Sequence, residues 1–329
     1  MTTKAAHPHP RRHPWHRPLL ATLLTAAIAI PLSAAALPPI PSPTPAHLPP
    51  LTPTTLAATY DANRANATEA ARMAAADGDE HRAAADASLA SPTRHLLSFD
   101  GRGPGQATEA LGDLLHADRV AILVPGSDTS LDTYARFHTA AASLYRQLTA
   151  TPATPGHRAA VIAWLGYRTP GTVSSTVTTT TRADEAAPRL RSFVRRLRTL
   201  TPPHTRISLL CHSYGSVVCG RAAPGVDADD IALIGSPGTG ADSVSALHTN
   251  ARIWAARGSD DWVAHVPHRR ARLLGTTVGF GTDPVSRAFG ARVFDAADAG
   301  HSGYFTPGST ALANLARITL GETAEVTHA

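Results

Sequence analysis

The stretch Leu209-Leu210-Cys211-His212-Ser213-Tyr214-Gly215-Ser216-Val217-Val218 runs an apolar strand straight into a serine, and a helix begins at once. That strand–turn–helix context is what a G-x-S-x-G turn requires, because the sharp reversal pushes the serine hydroxyl out at the end of the strand. Gly215 is needed there, since a side chain would collide with the strand. The following helix aims its positive end at Ser213 and favours an anion developing beside it. Cys211 stands where the first glycine of the pattern usually is; cysteine is small, so the departure weakens the motif without removing it. An ordinary serine in a strand–helix turn is the alternative reading.

A serine hydroxyl is a poor nucleophile until a histidine takes its proton, and that histidine needs a carboxylate to fix its tautomer. Downstream, the apolar run Ile253 to Ala256 is followed by Arg257-Gly258-Ser259-Asp260-Asp261-Trp262-Val263. Two adjacent acids usually mean one turned inward and one solvated. His301 lies in Asp298-Ala299-Gly300-His301-Ser302-Gly303, where flanking glycines let the imidazole reach over a sheet edge. His265 and His268 lie too close to the acids to occupy a separate loop and read as surface histidines near an arginine cluster.

The elements that must position these groups alternate. Val120 to Val124, Ala159 to Trp164, Ile207 to Leu210, Ile231 to Ile234, Ile253 to Ala256 and Val293-Phe294 are short apolar runs. Between them, Leu131 to Leu148, Leu190 to Leu200 and Leu312 to Ile318 carry apolar residues at helical spacing. All-apolar strands separated by helices imply a mostly parallel sheet covered on both faces, with reactive groups on loops at the carboxyl ends of strands. Leu56 to Leu97 is dominated by alanine with interspersed charges, which favours helix; its apolar face buries little, so it should pack on a larger body.

The amino-terminal end reads differently. Residues 1–18 are cationic, Leu19 to Ile30 are uncharged and apolar, and Ser33-Ala34-Ala35-Ala36 follow Pro31. This is the order of a secretory signal, with an uncleaved anchor as the alternative, since Leu19 to Leu37 is nearly long enough to span a bilayer. Such a leader implies secretion or association with the membrane or cell wall. Prolines at 38, 39, 41, 43, 45, 49, 50 and 53 make residues 37–54 an extended stalk. The expected organisation is leader 1–36, linker 37–54, helical extension 55–97 and catalytic domain 98–329.

Composition narrows the partners. Of 30 basic residues, four (Lys4, Arg11, Arg12 and Arg17) sit in residues 1–36, which hold no acid, so the body's 26 nearly cancel its 25 acids. A near-neutral body has no footprint for a phosphate backbone, and nucleic acid is excluded as a partner. With only 5% aromatic residues, nothing supports a long lipid tunnel or a sugar-stacking cleft.

The chain resembles the α/β-hydrolases, and within them a secreted actinobacterial family of uncharacterised function with a G-H-S-Y-G-S type elbow. Val124-Pro125-Gly126, Trp164-Leu165-Gly166-Tyr167, His212 to Ser216, Gly235-Ser236-Pro237-Gly238 and His301-Ser302-Gly303-Tyr304-Phe305 carry the likeness, in family order over about residues 95–320. It implies the α/β-hydrolase fold and a serine triad in the order Ser213, acid, His301. The family spacing of strand, Gly, two residues and Asp falls on Asp261, with Asp260 as the alternative acid. Oxyanion donors are expected from the backbone N–H of Tyr214 and from Ser127 in the loop after Val124, where many relatives have His-Gly instead of Pro125-Gly126. The implied activity is hydrolysis of a small-molecule or lipid ester without metal or cofactor. An acyltransferase with the same triad and a catalytically silent binding domain of the cell envelope are the alternatives.

Other signals carry less. Gly101-Arg102-Gly103-Pro104-Gly105 lacks the Lys-Ser/Thr ending of a phosphate loop and reads as a turn. His7, His9, His13 and His16 lack helical spacing for a metal. Asp128 reads as a turn residue. Cys211 and Cys219 read as two small side chains buried between the elbow strand and helix, with a disulfide as the alternative in an oxidising compartment. Phe280 and Phe289 flank a Gly/Thr-rich insertion that forms either a cap over the pocket or a surface loop.

Overall fold

The alternation yields helices α1 (Leu56–Ala76) and α2 (Glu80–Leu89), strands β1 (His95–Asp100), β2 (Gln106–Leu111) and β3 (Arg119–Val124), and helix α3 (Tyr134–Ala150). Then come β4 (Ala159–Leu165), α4 (Thr181–Leu200), β5 (Arg206–His212), α5 (Gly215–Ala222), β6 (Asp230–Ile234) and β7 (Arg252–Ala256). The small strands β8 (Ala271–Leu273) and β9 (Thr276–Val278), the short β10 (Arg292–Val293) and helix α6 (Thr310–Leu320) complete the chain. The computed structural model describes residues 40–150, 158–268, 271–273 and 276–329. The expected leader and residues 37–39 of the linker lie outside the described residues.

One sheet of eight strands runs in the order β1-β2-β4-β3-β5-β6-β7-β10. Pairing is antiparallel at β1–β2 and β2–β4 and parallel from β4 onward. The period of two along each strand divides the core into two layers. Val120, Ile122 and Val124 of β3 pack with Leu190, Val194 and Leu197 of α4 and Val217 and Val218 of α5. Ala121 and Leu123 face the other way, onto Leu144 and Leu148 of α3 and Leu312 and Leu315 of α6. Because helices cover both faces, the central strands have no polar side, and they read as continuous apolar runs. This is the expected α/β-hydrolase fold.

Two expectations about the amino-terminal part change. Helix stops at Leu89, and His95–Asp100 is an edge strand, so a boundary at residue 98 falls inside β1. The register of β1 on β2 shifts between Leu96 and Ser98, a bulge that buries Leu96, Leu97 and Phe99 together although strict alternation would expose one of them. Residues 40–54, expected as a free stalk, run along the body. The Asn66 side chain donates to Thr44 O at 2.7 Å, and Leu51 packs on the core. An extended proline-rich chain keeps its carbonyls free to accept such bonds.

The alanine-rich extension does pack on the larger body, with polar anchors from both helices: from α1, the Asn63 side chain donates to Leu96 O at 3.1 Å and Arg64 to Arg94 O at 3.0 Å. Leu56, Ala67, Ala70 and Ala74 bury a thin apolar stripe of α1. From α2, Arg82 is only 1% exposed and donates to Gly101 O at 2.5 Å and Gly103 O at 3.1 Å in the β1–β2 turn, and to Asp132 at 3.3 Å. Its partner Asp86 is buried beside it. Gly101 to Gly105 form the expected turn.

Candidate active site

Ser213 is the first residue beyond β5, and its backbone φ is 54°. For a residue with a Cβ this left-handed conformation costs about 1–3 kcal/mol, so surrounding contacts must hold it. The Ser213 N–H donates to Ile234 O at 2.9 Å, and its carbonyl accepts the Ser216 N–H at 2.9 Å. The Ser216 hydroxyl donates to Cys211 O at 2.9 Å. A Cβ on Gly215 would collide with Val124 O, so the obstacle is the end of neighbouring β3 rather than the serine's own strand.

Cys211 and Cys219 form a disulfide, correcting the reading of two separate buried thiols. The helix folds back along the strand that precedes it and brings their Cα atoms to 6.4 Å, within disulfide reach. The bond clamps both arms of the turn that presents Ser213.

The loops after β7 and β10 bring the acid and the histidine to this turn. His301 Nε2 lies 3.0 Å from Ser213 Oγ, and Nδ1 lies 2.9 Å from Asp261 Oδ1. Asp261 is 1% exposed and also accepts the Val263 N–H at 2.9 Å and the Tyr304 hydroxyl at 2.5 Å. Burial alone would raise its pKa; the bonds from His301, Tyr304 and Val263 outweigh that and hold the carboxyl below its ordinary value. Asp260 points to solvent, bonded by the Ser259 hydroxyl at 3.2 Å. The two loops are fastened to each other by Ser259 N–H to Ala297 O at 3.0 Å and Gly258 N–H to Tyr304 Oη at 3.2 Å.

His212 supports the histidine from behind. Its Nε2–H donates to His301 O at 2.6 Å with the two rings 4.7 Å apart. Burial, and then the proximity of His301, lower its pKa to about 4, so it stays neutral. His265 is exposed, as expected, but His268 is largely buried, bonded to Ser236 O at 3.3 Å and 3.8 Å from Asp283.

The expected oxyanion donors lie at the same place. Tyr214 heads α5, Ser127 follows β3, and both line the cavity around Ser213. Among the described residues, neither backbone N–H donates to a protein acceptor. The Ser127 loop is pinned by the Tyr167 hydroxyl on Pro125 O at 2.7 Å. Asp128, with φ 56°, accepts the Thr172 N–H at 3.0 Å and serves as a turn residue.

A cavity of about 1190 Å³ opens above Ser213. Phe137 and Ala140 of α3, Val177, Phe280 and Phe305 contribute to its walls. Phe280 thus forms part of the cavity wall, whereas Phe289 is buried and does not line the cavity. Trp262, half-exposed, stands at the cavity with its ring 4.7 Å from that of His301. Sequence reasoning gave Tyr304, His212 and Trp262 no role in the site: His212 and Tyr304 stand in segments that carry the family likeness, and Trp262 has only its place directly after Asp261 as a signal. Among the described residues no cluster of His, Cys, Asp and Glu could hold a metal, and no helix is long and apolar enough to cross a membrane.

A mostly parallel sheet with a serine on the turn after β5, and an acid and a histidine on later loops, defines an α/β hydrolase. The chain belongs to the alpha/beta hydrolase family, whose sequence model matches residues 100–271. It is 30% identical over 275 residues to the uncharacterized protein Rv2079 of Mycobacterium tuberculosis, covering 74% of this chain and 42% of that protein. It is also 29% identical over 167 residues to the uncharacterized protein Rv0963c of the same species, covering 48% and 63%. The chain spans less than two thirds of the length of these curated relatives. Among solved structures, a lidless α/β serine hydrolase from Xanthomonas campestris aligns with a TM-score of 0.40 at 17% identity, over 71% of this chain and 95% of that one. Esterase LipW from Mycobacterium marinum aligns with a TM-score of 0.42 at 15% identity, over 78% and 90%.

Proposed function

We propose that the protein is an exported serine hydrolase that cleaves carboxylic esters through an acyl-enzyme on Ser213. The observation that carries this reading is the unbroken chain Ser213 Oγ, His301 Nε2, His301 Nδ1, Asp261 Oδ1, with steps of 3.0 and 2.9 Å, at the floor of a large cavity. Asp261 accepts the Nδ1–H and so leaves Nε2 unprotonated toward the serine. Ser213 Oγ attacks the ester carbon while its proton passes to Nε2, and the carbonyl oxygen becomes an anion held by the N–H groups of Tyr214 and Ser127. When the intermediate collapses, the bond from carbon to the alcohol oxygen breaks and that oxygen takes the proton from Nε2. Water then attacks the acyl-Ser213, giving its proton to Nε2, and collapse returns that proton to Oγ and releases the acid.

Export is supported by the leader's pattern and by the Cys211–Cys219 disulfide, a bond that persists in oxidising compartments. Amino-terminal sequencing of the protein recovered from culture medium tests it, and protein confined to the cytosol would refute it. The catalytic reading is tested with a fluorophosphonate probe. Wild type should label at Ser213 and Ser213→Ala should not; a folded wild type that stays unlabelled and turns over no ester would overturn the reading.

A further inference from the structure

We infer that Trp262 forms the leaving-group subsite, a platform for the apolar, flat-faced alcohol half of the ester, an assignment that rests on the ester-hydrolase reading above. Among the described residues two large apolar side chains are exposed, Trp262 at 52% and Val173 at 103%. Of the two, Trp262 lines the cavity over Ser213, whereas Val173 is not among its lining residues. Trp164 and Trp254, by contrast, are buried. An indole left half in water beside a reactive centre is apolar surface waiting for a ligand to cover it.

The chemistry says which half of the ester covers it. In the collapse of the first intermediate, the bond between the acyl carbon and the alcohol oxygen breaks, and the oxygen's new proton comes from His301 Nε2. The leaving oxygen must therefore face the His301 ring, and the carbons attached to it lie on the His301 side of the cavity. Trp262 occupies that side, with its ring centroid 4.7 Å from that of His301. Val266 and Pro267 continue the same wall. The platform is held in step with the acid: Trp262 directly follows Asp261, which caps the short turn Trp262–His265 through the Val263 N–H. A small alcohol such as ethanol would leave the indole uncovered, whereas an alcohol carrying a ring would span it. A low aromatic content is no obstacle, since the subsite needs one indole rather than a row.

The test compares two butanoate esters whose alcohols ionise similarly and differ in bulk, ethyl and 2-phenylethyl. In Trp262→Ala the preference in kcat/KM for the 2-phenylethyl ester should fall about tenfold, the scale expected when an apolar contact is lost from a pocket, while Trp262→Phe should retain most of it. A preference that moves less than about twofold in Trp262→Ala, or one that moves equally when the acyl chain of an ethyl ester is lengthened instead, overturns the assignment. A second readout needs no turnover. Titrating 2-phenylethanol into the full chain should give a saturable change in tryptophan emission that Trp262→Phe loses; no difference between the two proteins would refute the subsite. Failure of the hydrolase reading is distinguishable, because it removes fluorophosphonate labelling and all ester turnover while the titration still decides whether Trp262 binds the alcohol.

Discussion

The Tyr304 hydroxyl donates to Asp261 Oδ2 at 2.5 Å while His301 Nδ1 occupies Oδ1 at 2.9 Å, so both oxygens of one buried carboxylate are engaged. A hydrogen bond to a charged group contributes about 1.5–3 kcal/mol. Tyr304→Phe should therefore lower kcat on a simple ester by about tenfold or more while KM changes little, because Asp261 loses orientation rather than contact with substrate. The pH dependence of stability follows with a definite sign. The lowered pKa of Asp261 stabilises the fold above the carboxyl's ordinary value near 4 and is lost as pH falls through the lower, folded value. Removing Tyr304 weakens that lowering, so the difference in unfolding free energy between wild type and Tyr304→Phe should narrow toward pH 2. Denaturant melts at pH 7 and pH 2.5 check it.

Asp260 and Asp261 are neighbours with opposite surroundings, exposed and buried. Asp261→Asn should reduce kcat by about 10⁴-fold, because the amide favours the wrong imidazole tautomer, and Asp260→Asn should stay within about twofold. Initial rates with an ester substrate distinguish the two; the reverse ranking would move the acid to Asp260.

The left-handed backbone of Ser213 sets up a trade of stability for reactivity. Ser213→Gly relieves the strain and should be more stable than Ser213→Ala by about 1 kcal/mol, although both lack the hydroxyl. Paired urea melts of the two variants measure this, and equal midpoints would mean that the elbow is unstrained.

Closing a loop between residues eight apart in sequence contributes about 2–3 kcal/mol in the chain-entropy account. Reduction of Cys211–Cys219, or the double change to serine, should lower the urea midpoint accordingly. It should also slow fluorophosphonate labelling, because the disulfide clamps the turn bearing Ser213.

Burial raises the Asp86 pKa to about 6, with Arg82 opposing the shift through its charge and hydrogen bond. A raised carboxyl favours the folded state at low pH: the contribution is complete below about pH 4 and is lost as pH rises through 6. Stability should decline by about 1–3 kcal/mol over that interval, since one pKa unit corresponds to about 1.4 kcal/mol. Asp86→Asn should flatten the decline, which unfolding curves from pH 4 to 7.5 would reveal.

What the residues determine alone is local and periodic. Runs such as Val120 to Val124 and Ile231 to Ile234 announce buried parallel strands because both faces of each strand are covered, and the order of strand, Ser213 and Gly215 specifies a tight strand–helix turn within a few residues. Edge strand β1 escapes that logic, since its pairing with β2 and the bulge that buries both Leu96 and Leu97 depend on a partner rather than on its own pattern. The choice between the adjacent acids, the joining of Cys211 to Cys219, the Tyr304 bond to Asp261 and the stance of Trp262 beside His301 were all decided in three dimensions. Each depends on where two separately encoded loops or arms meet, and the direction of a side chain across such a meeting is set by packing, which no run of residues carries within itself.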